Sequence, residues 1–133
     1  MYDLLVFIGR FQPLHVGHQE VIERARSLAK NVLVLVGSAG VARSARNPFT
    51  YEERAALIKS IYPDVITRPI HDHTYNDAAW ITEVQQQVVQ VARGEGWNAN
   101  GMADLKIGLI GCAKDHTSYY LKLFPDWASE AVN

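Results

Sequence analysis

Residues 8–18 read IGRFQPLHVGH and set Arg10, Gln12, His15, Gly17 and His18 directly after an apolar run, Leu4–Ile8. These residue types suit an anion. The first backbone N–H groups of a helix have no intrahelical partner and carry partial positive charge. A helix opening at His18 therefore presents a phosphate site. Imidazoles beside it can donate to phosphate oxygens, Gly17 lets a ligand approach the backbone closely, and Arg10 offers a planar fork. A plainer reading makes one histidine a cap and the other an exposed helix-start residue. Metal ligation would want a third ligand at diagnostic spacing. His71 and His73 do not supply that spacing, so no metal site is assigned to protein side chains.

The elements that must position this turn follow from the hydrophobic pattern. Leu4–Ile8 and residues 32–38 (VLVLVGS) are continuous apolar runs, as expected of strands buried on both faces. Between them Val21, Ile22, Ala25, Leu28 and Ala29 recur at helical spacing. Thr50 followed by Glu53 forms a capping box for a helix that ends before Pro63. A weaker strand follows at DVITRPI. A long helix then has Asn76 or Asp77 as its N-cap and Trp80, Val84, Val88 and Val91 as its apolar stripe. LKIGLIG is a further strand and TSYYLKLF a short helix. Strands alternating with helices predict a single α/β domain, a Rossmann-like, doubly wound parallel sheet with right-handed crossovers. Ligands of such sheets bind beyond the carboxyl ends of the strands. Four polar turns fall at that edge: GRFQPLHVGH, GSAGVARSARNP, HDHTYND and GCAKDHTS.

Composition excludes several classes. The 133 residues are 48% hydrophobic and 20% charged, with a net charge of −1, which predicts a folded globular chain. That charge gives no broad footprint for nucleic acid or an anionic membrane surface, so an anion site must be local. The one cysteine, Cys112, permits no intrachain disulfide and no zinc cluster. No secretory leader or membrane span is recognised, and a cytoplasmic location is expected. GxGxxG is missing after the first strand, and GSAGVARS lacks P-loop spacing, which argues against the two commonest nucleotide-binding turns.

The HxGH pattern at residues 15–18 resembles the signature of the nucleotidyltransferase superfamily that includes class I aminoacyl-tRNA synthetases. The longer GRFQPxHxGH is similar to nicotinamide mononucleotide adenylyltransferases, both the archaeal type and the bacterial type fused to a Nudix hydrolase. RNPFTYEER (46–54), YNDAAW (75–80) with VQQQV (84–88), and GCAKDHTSYYLKLFPDW (111–127) extend the likeness over nearly the whole chain. The resemblance implies a transfer of AMP from ATP to nicotinamide mononucleotide, giving NAD and pyrophosphate. It implies ATP and the mononucleotide as partners, with Mg2+ entering on ATP, and leaves a homo-oligomer open. Gly9, Arg10, Phe11 and, with them, Gln12 would line the phosphates and the mononucleotide. His15 and His18 would hold the ATP phosphates as the transition state forms, and Arg46 would meet substrate phosphate. Trp80 would stack on the pyridine ring, with Asn76 or Asp77 near its amide, and Gly111 and Lys114 would border the nucleotide.

Plainer roles compete with several of these assignments. Arg46 reads equally as a solvated loop charge, Trp80 as core in register with Val84 and Val88, and Lys114 with Asp115 as an exposed pair. His71, His73 and His116 read as loop residues, and Tyr119 and Tyr120 as packing. A transferase for another small phosphate, such as the pantetheine type, and a non-catalytic nucleotide-sensing module are the rival functions. Relatives of this kind carry a further strand and a serine-rich segment ending in arginine after the FPxW region. The sequence ends at Asn133. The expectation is therefore a domain over residues 1–133 that lacks the C-terminal part of the family fold, grips ATP weakly and turns over slowly.

Overall fold

The computed structural model describes residues 1–97, 101–112 and 122–132. The element order is β1 (Tyr2–Gly9), α1 (Val16–Leu28), β2 (Ala29–Val36), α2 (Tyr51–Ile61), β3 (Ile66–Pro69), α3 (Asp77–Glu95), β4 (Ile107–Cys112) and β5 (Ala128–Val132), with a 3-10 turn at Met102–Asp104. The sheet order is β3-β2-β1-β4-β5, and every pairing is parallel. Chain direction across the sheet reverses at β1, where α3 carries the chain from β3 to β4. That reversal opens a crevice at the carboxyl edge, where ligands of doubly wound sheets bind.

Period-two alternation in the two central strands sorts their side chains onto two faces. Leu5, Phe7, Val32, Val34 and Val36 pack with Val21, Ile22, Ala25 and Ile58 from α1 and α2. Leu4, Val6, Ile8, Leu33 and Leu35 pack with Val84, Val88 and Val91 from α3. Both faces of β1 and β2 are thus dry, which is why the sequence there reads as unbroken apolar runs. Each fully buried leucine in this layer contributes about 1.5–3 kcal/mol.

Three boundaries differ from the sequence reading. Helix α1 begins at Val16, two residues before His18, because His15 itself caps it. Strand β2 begins at Ala29, where pairing with Tyr2 starts. A fifth strand, not read from the sequence, forms after Trp127 and pairs Ala128–Val132 with Gly108–Cys112. Its side chains are mostly exposed, which left no apolar alternation to read in ASEAV. The expected helix at TSYYLKLF falls mainly outside the described residues.

The outer strand is tied to the centre by one side chain. Tyr2 on β1 reaches across β4, its ring lying where a Cβ on Gly108 would come within 2.6 Å of it. Its hydroxyl donates to Glu130 Oε1 on β5 at 2.7 Å. Burial, then the hydrogen bond and the charge of Glu130, push the Tyr2 hydroxyl up from 10.0 to about 12. Between those values the folded chain holds a proton that the unfolded chain has released, so this stabilisation is complete below pH 10 and is lost as pH rises toward 12. Tyr2→Phe should flatten that part of the pH dependence. Denaturant midpoints measured on either side of pH 10 for both chains check it, and parallel curves would assign the loss to other groups.

Candidate active site

A cleft of about 650 Å3 opens at the carboxyl edge over β1 and β2. The turn after β1 contributes Gly9–Pro13, His15 and His18. The segment after β2 contributes Gly37, Ser38, Arg46 and Asn47. Ile70 and Asp72 follow β3, and Trp80 projects from α3. Three of the four polar turns therefore converge. Of the fourth, Gly111 ends β4 in a buried position and is not among the cleft's lining residues, while Lys114 lies outside the described residues.

The two histidines build the start of α1 together. His15 is the N-cap, and its Nδ1 accepts from the Gly17 amide at 3.1 Å. His18 at N3 completes a capping box, its Nδ1 accepting from the His15 amide at 3.2 Å. An imidazole that accepts at Nδ1 carries its ring proton on Nε2. Both rings therefore have their donor on the side away from the cap. They stack with centroids 3.6 Å apart and planes inclined at 23°. A Cβ on Gly17 would lie 3.0 Å from His15 Cε1, so this glycine makes room for the His15 ring. The first turn of α1 contains no acidic residue, whereas α2 opens with Glu52 and Glu53 and α3 with Asp77. The partial positive charge of the α1 terminus is left for a ligand.

Phe11 supports this arrangement from below. It is 2% exposed and meets Phe7 and His18 edge to face, with centroids 5.3 and 4.7 Å away. Its φ of 52° lies in the left-handed region, unusual for a large side chain. Its ring folds back so far that a Cβ on Gly9 would come within 2.8 Å of it. Glycine is required at residue 9 by this packing.

Arginine and glutamine side chains clasp the turn to the segment before α2. Arg10 Nη2 donates to the Arg46 carbonyl at 2.9 Å and to Asn47 Oδ1. The Gln12 amide pairs both ways with the Phe49 backbone, donating at 3.1 Å and accepting at 2.9 Å. Arg54 is 3% exposed. It donates from Nη1 to the carbonyls of Arg10 (2.8 Å) and Gly37, from Nη2 to that of Ser38 (3.4 Å), and from Nε to that of Thr50 (3.1 Å). Burial, and then the charge of Arg10, hold its guanidinium below the usual arginine range. Arg54 sits inside RNPFTYEER, yet its sequence position in the first turns of α2 marks it only as an ordinary surface cation. Arg46 lines the cleft with its side chain exposed.

The opposite wall is held by α3. Trp80 is half-buried against the core, 6.0 Å from the Phe124 ring, and also faces the cleft. The core packing its register suggested is present, and the same side chain lines the cleft. Asp72 accepts from Ser38 Oγ at 2.9 Å. Asn76 caps α3, its Oδ1 accepting from the Ala79 amide at 3.0 Å. It lines a separate, more open groove of about 460 Å3 with His73 and Glu83. Neither Asn76 nor Asp77 lines the cleft. His71 and His73, read as plain loop residues, both bind Glu83.

The chain belongs to the cytidylyltransferase-like family, which matches residues 6–95. It is 38% identical over 130 residues to a nicotinamide/nicotinic acid mononucleotide adenylyltransferase of Acinetobacter baylyi, covering 95% of this chain and 64% of that protein. It is 36% identical over 118 residues to a nicotinamide-nucleotide adenylyltransferase of Methanosphaerula palustris, covering 86% of this chain and 68% of that one. Among solved structures, a bifunctional NMN adenylyltransferase/ADP ribose pyrophosphatase from Francisella tularensis superposes with a TM-score of 0.85 at 32% identity. That match spans 100% of this chain and 38% of the other. The same enzyme has been crystallised with AMP and Mn ion. The chain thus spans about two thirds or less of the length of these relatives.

Replacing the buried arginine tests how the site is held. Arg54→Met keeps the apolar stem but removes the guanidinium from the carbonyls of Arg10, Gly37 and Ser38, while that of Thr50 keeps the residue 54 amide, so it should cost about 2–4 kcal/mol of stability. Arg54→Lys should recover only a part, because an ammonium lacks the planar fork. Denaturant unfolding of the three chains measures this. Losses within about 0.5 kcal/mol would mean water replaces the guanidinium at no cost.

Proposed function

We propose that this domain transfers AMP from ATP to nicotinamide mononucleotide, releasing pyrophosphate and NAD. The observation that carries the reading is the histidine-capped start of α1. It has no acidic residue in its first turn and opens into a cleft lined also by Arg10 and Arg46. Such a surface suits a polyanion. The names of the relatives supply the identity of the two substrates.

The reaction asks little covalent chemistry of the protein. The 5′-phosphate of the mononucleotide is already ionised at neutral pH. One of its oxygens forms a bond to the α-phosphorus of ATP, and the bond from that phosphorus to the bridging oxygen breaks, so pyrophosphate leaves with the electron pair. No side-chain nucleophile and no general base is needed. Catalysis is then alignment plus stabilisation of charge as it shifts. On this reading the Nε2–H groups of His15 and His18 and the α1 amides meet the triphosphate. Arg46 and the remaining guanidinium donors of Arg10 meet phosphate from the second turn. Phe11, Gln12 and Gly9 hold that turn in shape. Trp80 offers a flat face to the pyridine ring, with Ile70 and Asp72 beside it in the wall.

A divalent ion, Mg2+ on this reading, would enter on the triphosphate and neutralise developing charge on its oxygens. Asp72 is the carboxylate among the cleft's lining residues. Among the described residues no group of three or more histidine, cysteine or acidic side chains could hold a metal ion.

The deciding experiment incubates the chain with ATP, Mg2+ and either nicotinamide mononucleotide or phosphopantetheine, and follows pyrophosphate and the nucleotide product. NAD formation is expected, and preference for phosphopantetheine would overturn the reading. His18→Ala should lower turnover by about 10²–10³, as removing one oxyanion donor does, with little change in mononucleotide affinity. A drop of less than about threefold would make His18 a structural cap alone. Trp80→Leu should weaken mononucleotide binding and leave ATP binding nearly unchanged. Equal losses for both ligands, with a lowered Tm, would assign Trp80 to core packing.

A further inference from the structure

We propose that Glu83 is a positioning residue for the mononucleotide wall of the cleft, acting through His71 and His73 without touching a ligand. The proposal rests on the functional reading above for the identity of the ligand. Its structural half stands independently.

Glu83 lies three residues after Trp80 on α3, so the two share a face of the helix. Its side chain is 17% exposed, and it takes three hydrogen bonds from the HDH turn after β3. The His71 amide donates at 2.8 Å and His71 Nδ1 at 2.7 Å, while His73 Nε2 lies at 3.1 Å. Two oxygens of one carboxylate thus hold both ends of the tripeptide His71-Asp72-His73. Burial works to raise the Glu83 carboxyl, but the bonds from His71 and His73 outweigh it and leave the group below the usual glutamate range. It is therefore ionised, and able to accept all three bonds, throughout the neutral range.

The turn held in this way carries the cleft wall. Ile70 and Asp72 line the cleft beside Trp80. Beyond them the turn is joined to the segment after β2. The Ala39 amide donates to the Ile70 carbonyl at 3.0 Å, Ser38 Oγ donates to Asp72 at 2.9 Å, and the His71 ring packs where a Cβ on Gly40 would lie 3.5 Å from it. Glu83 is thus the α3 end of a continuous brace from α3 through the turn to Ser38 and Gly40. Ile70 is fixed by the core and by the Val36 carbonyl, so loss of that end frees Asp72 to move relative to Ile70 and Trp80. A flat ring stacked on Trp80 needs all three in register. The histidine-capped terminus of α1 makes no direct contact with Glu83 or its turn and is held separately by its own caps, so ATP contacts there should change less.

The test compares Glu83→Ala and Glu83→Gln in the full chain. Glutamine keeps an acceptor for the His71 amide and can donate to His71 Nδ1 after a tautomer change. Hydrogen exchange reads the brace directly. Residues 71–73 should exchange faster in Glu83→Ala and near the parent rate in Glu83→Gln, with β1 and α1 unchanged. Titration with nicotinamide mononucleotide reads the consequence. Affinity should fall about tenfold in Glu83→Ala and by no more than about twofold in Glu83→Gln, with ATP affinity held within about twofold in both. Unchanged exchange at residues 71–73 would overturn the brace. Faster exchange with full mononucleotide affinity would overturn its role in positioning, as would equal losses for ATP and mononucleotide. If the parent chain binds no mononucleotide, the functional reading fails while the exchange data still decide whether Glu83 holds the turn.

Discussion

A guanidinium buried beneath the cleft organises everything above it. Just beyond the ends of β1 and β2 the carbonyls of Arg10, Gly37 and Ser38 have left the ladder, and away from water each would otherwise carry an uncompensated desolvation cost. Arg54 answers several at once, because its planar fork reaches the carbonyls of Arg10, Gly37 and Ser38 while Nε holds that of Thr50. One side chain on α2 therefore sets the exit direction of two strands and the approach of the helix that bears it. A fully buried charge is tolerated there only because carbonyl dipoles surround it.

That arrangement explains how a chain with a net charge of −1 can present a cationic pocket. Arg54 is spent on structure. Arg10 is half committed, holding Arg46 and Asn47 from Nη2. Arg46 lines the cleft. The α1 terminus adds its amides without an acidic residue to offset them. The positive field is local and fixed in place, which suits a reaction whose barrier is set by alignment and charge stabilisation.

The two histidines illustrate how capping and chemistry coincide. A serine or aspartate cap would satisfy the same amides. Histidine does so through Nδ1 and places its ring proton on Nε2, so the cap that starts α1 also fixes the tautomer of two side chains that line the cleft. Phe11 then locks His18 by edge-to-face contact, at the cost of a left-handed backbone conformation at a large residue. Strain of this kind persists where surrounding packing over-determines it.

Much of this was determined by the sequence alone. Unbroken apolar runs specified strands buried on both faces, the stripe Trp80-Val84-Val88-Val91 specified α3, and their alternation specified a parallel sheet with its ligand edge. HxGH marked the turn that starts α1, because residues two or three apart at a helix start have few alternative arrangements. What only the tertiary structure decided involves partners distant along the chain. Gln12 pairs with Phe49, Arg54 with Arg10, and Glu83 with the HDH turn, and no local spacing encodes those meetings. Gly17 was read as an opening for a ligand and Gly9 as part of the nucleotide lining, and the fold sets a ring of the chain against each, His15 and Phe11. Asn76 was read as a ligand contact or a helix cap, and in the fold it caps α3 through the Ala79 amide. Strand β5 escaped notice because pairing with β4 creates it, and a backbone ladder at a sheet edge leaves little mark on its side chains.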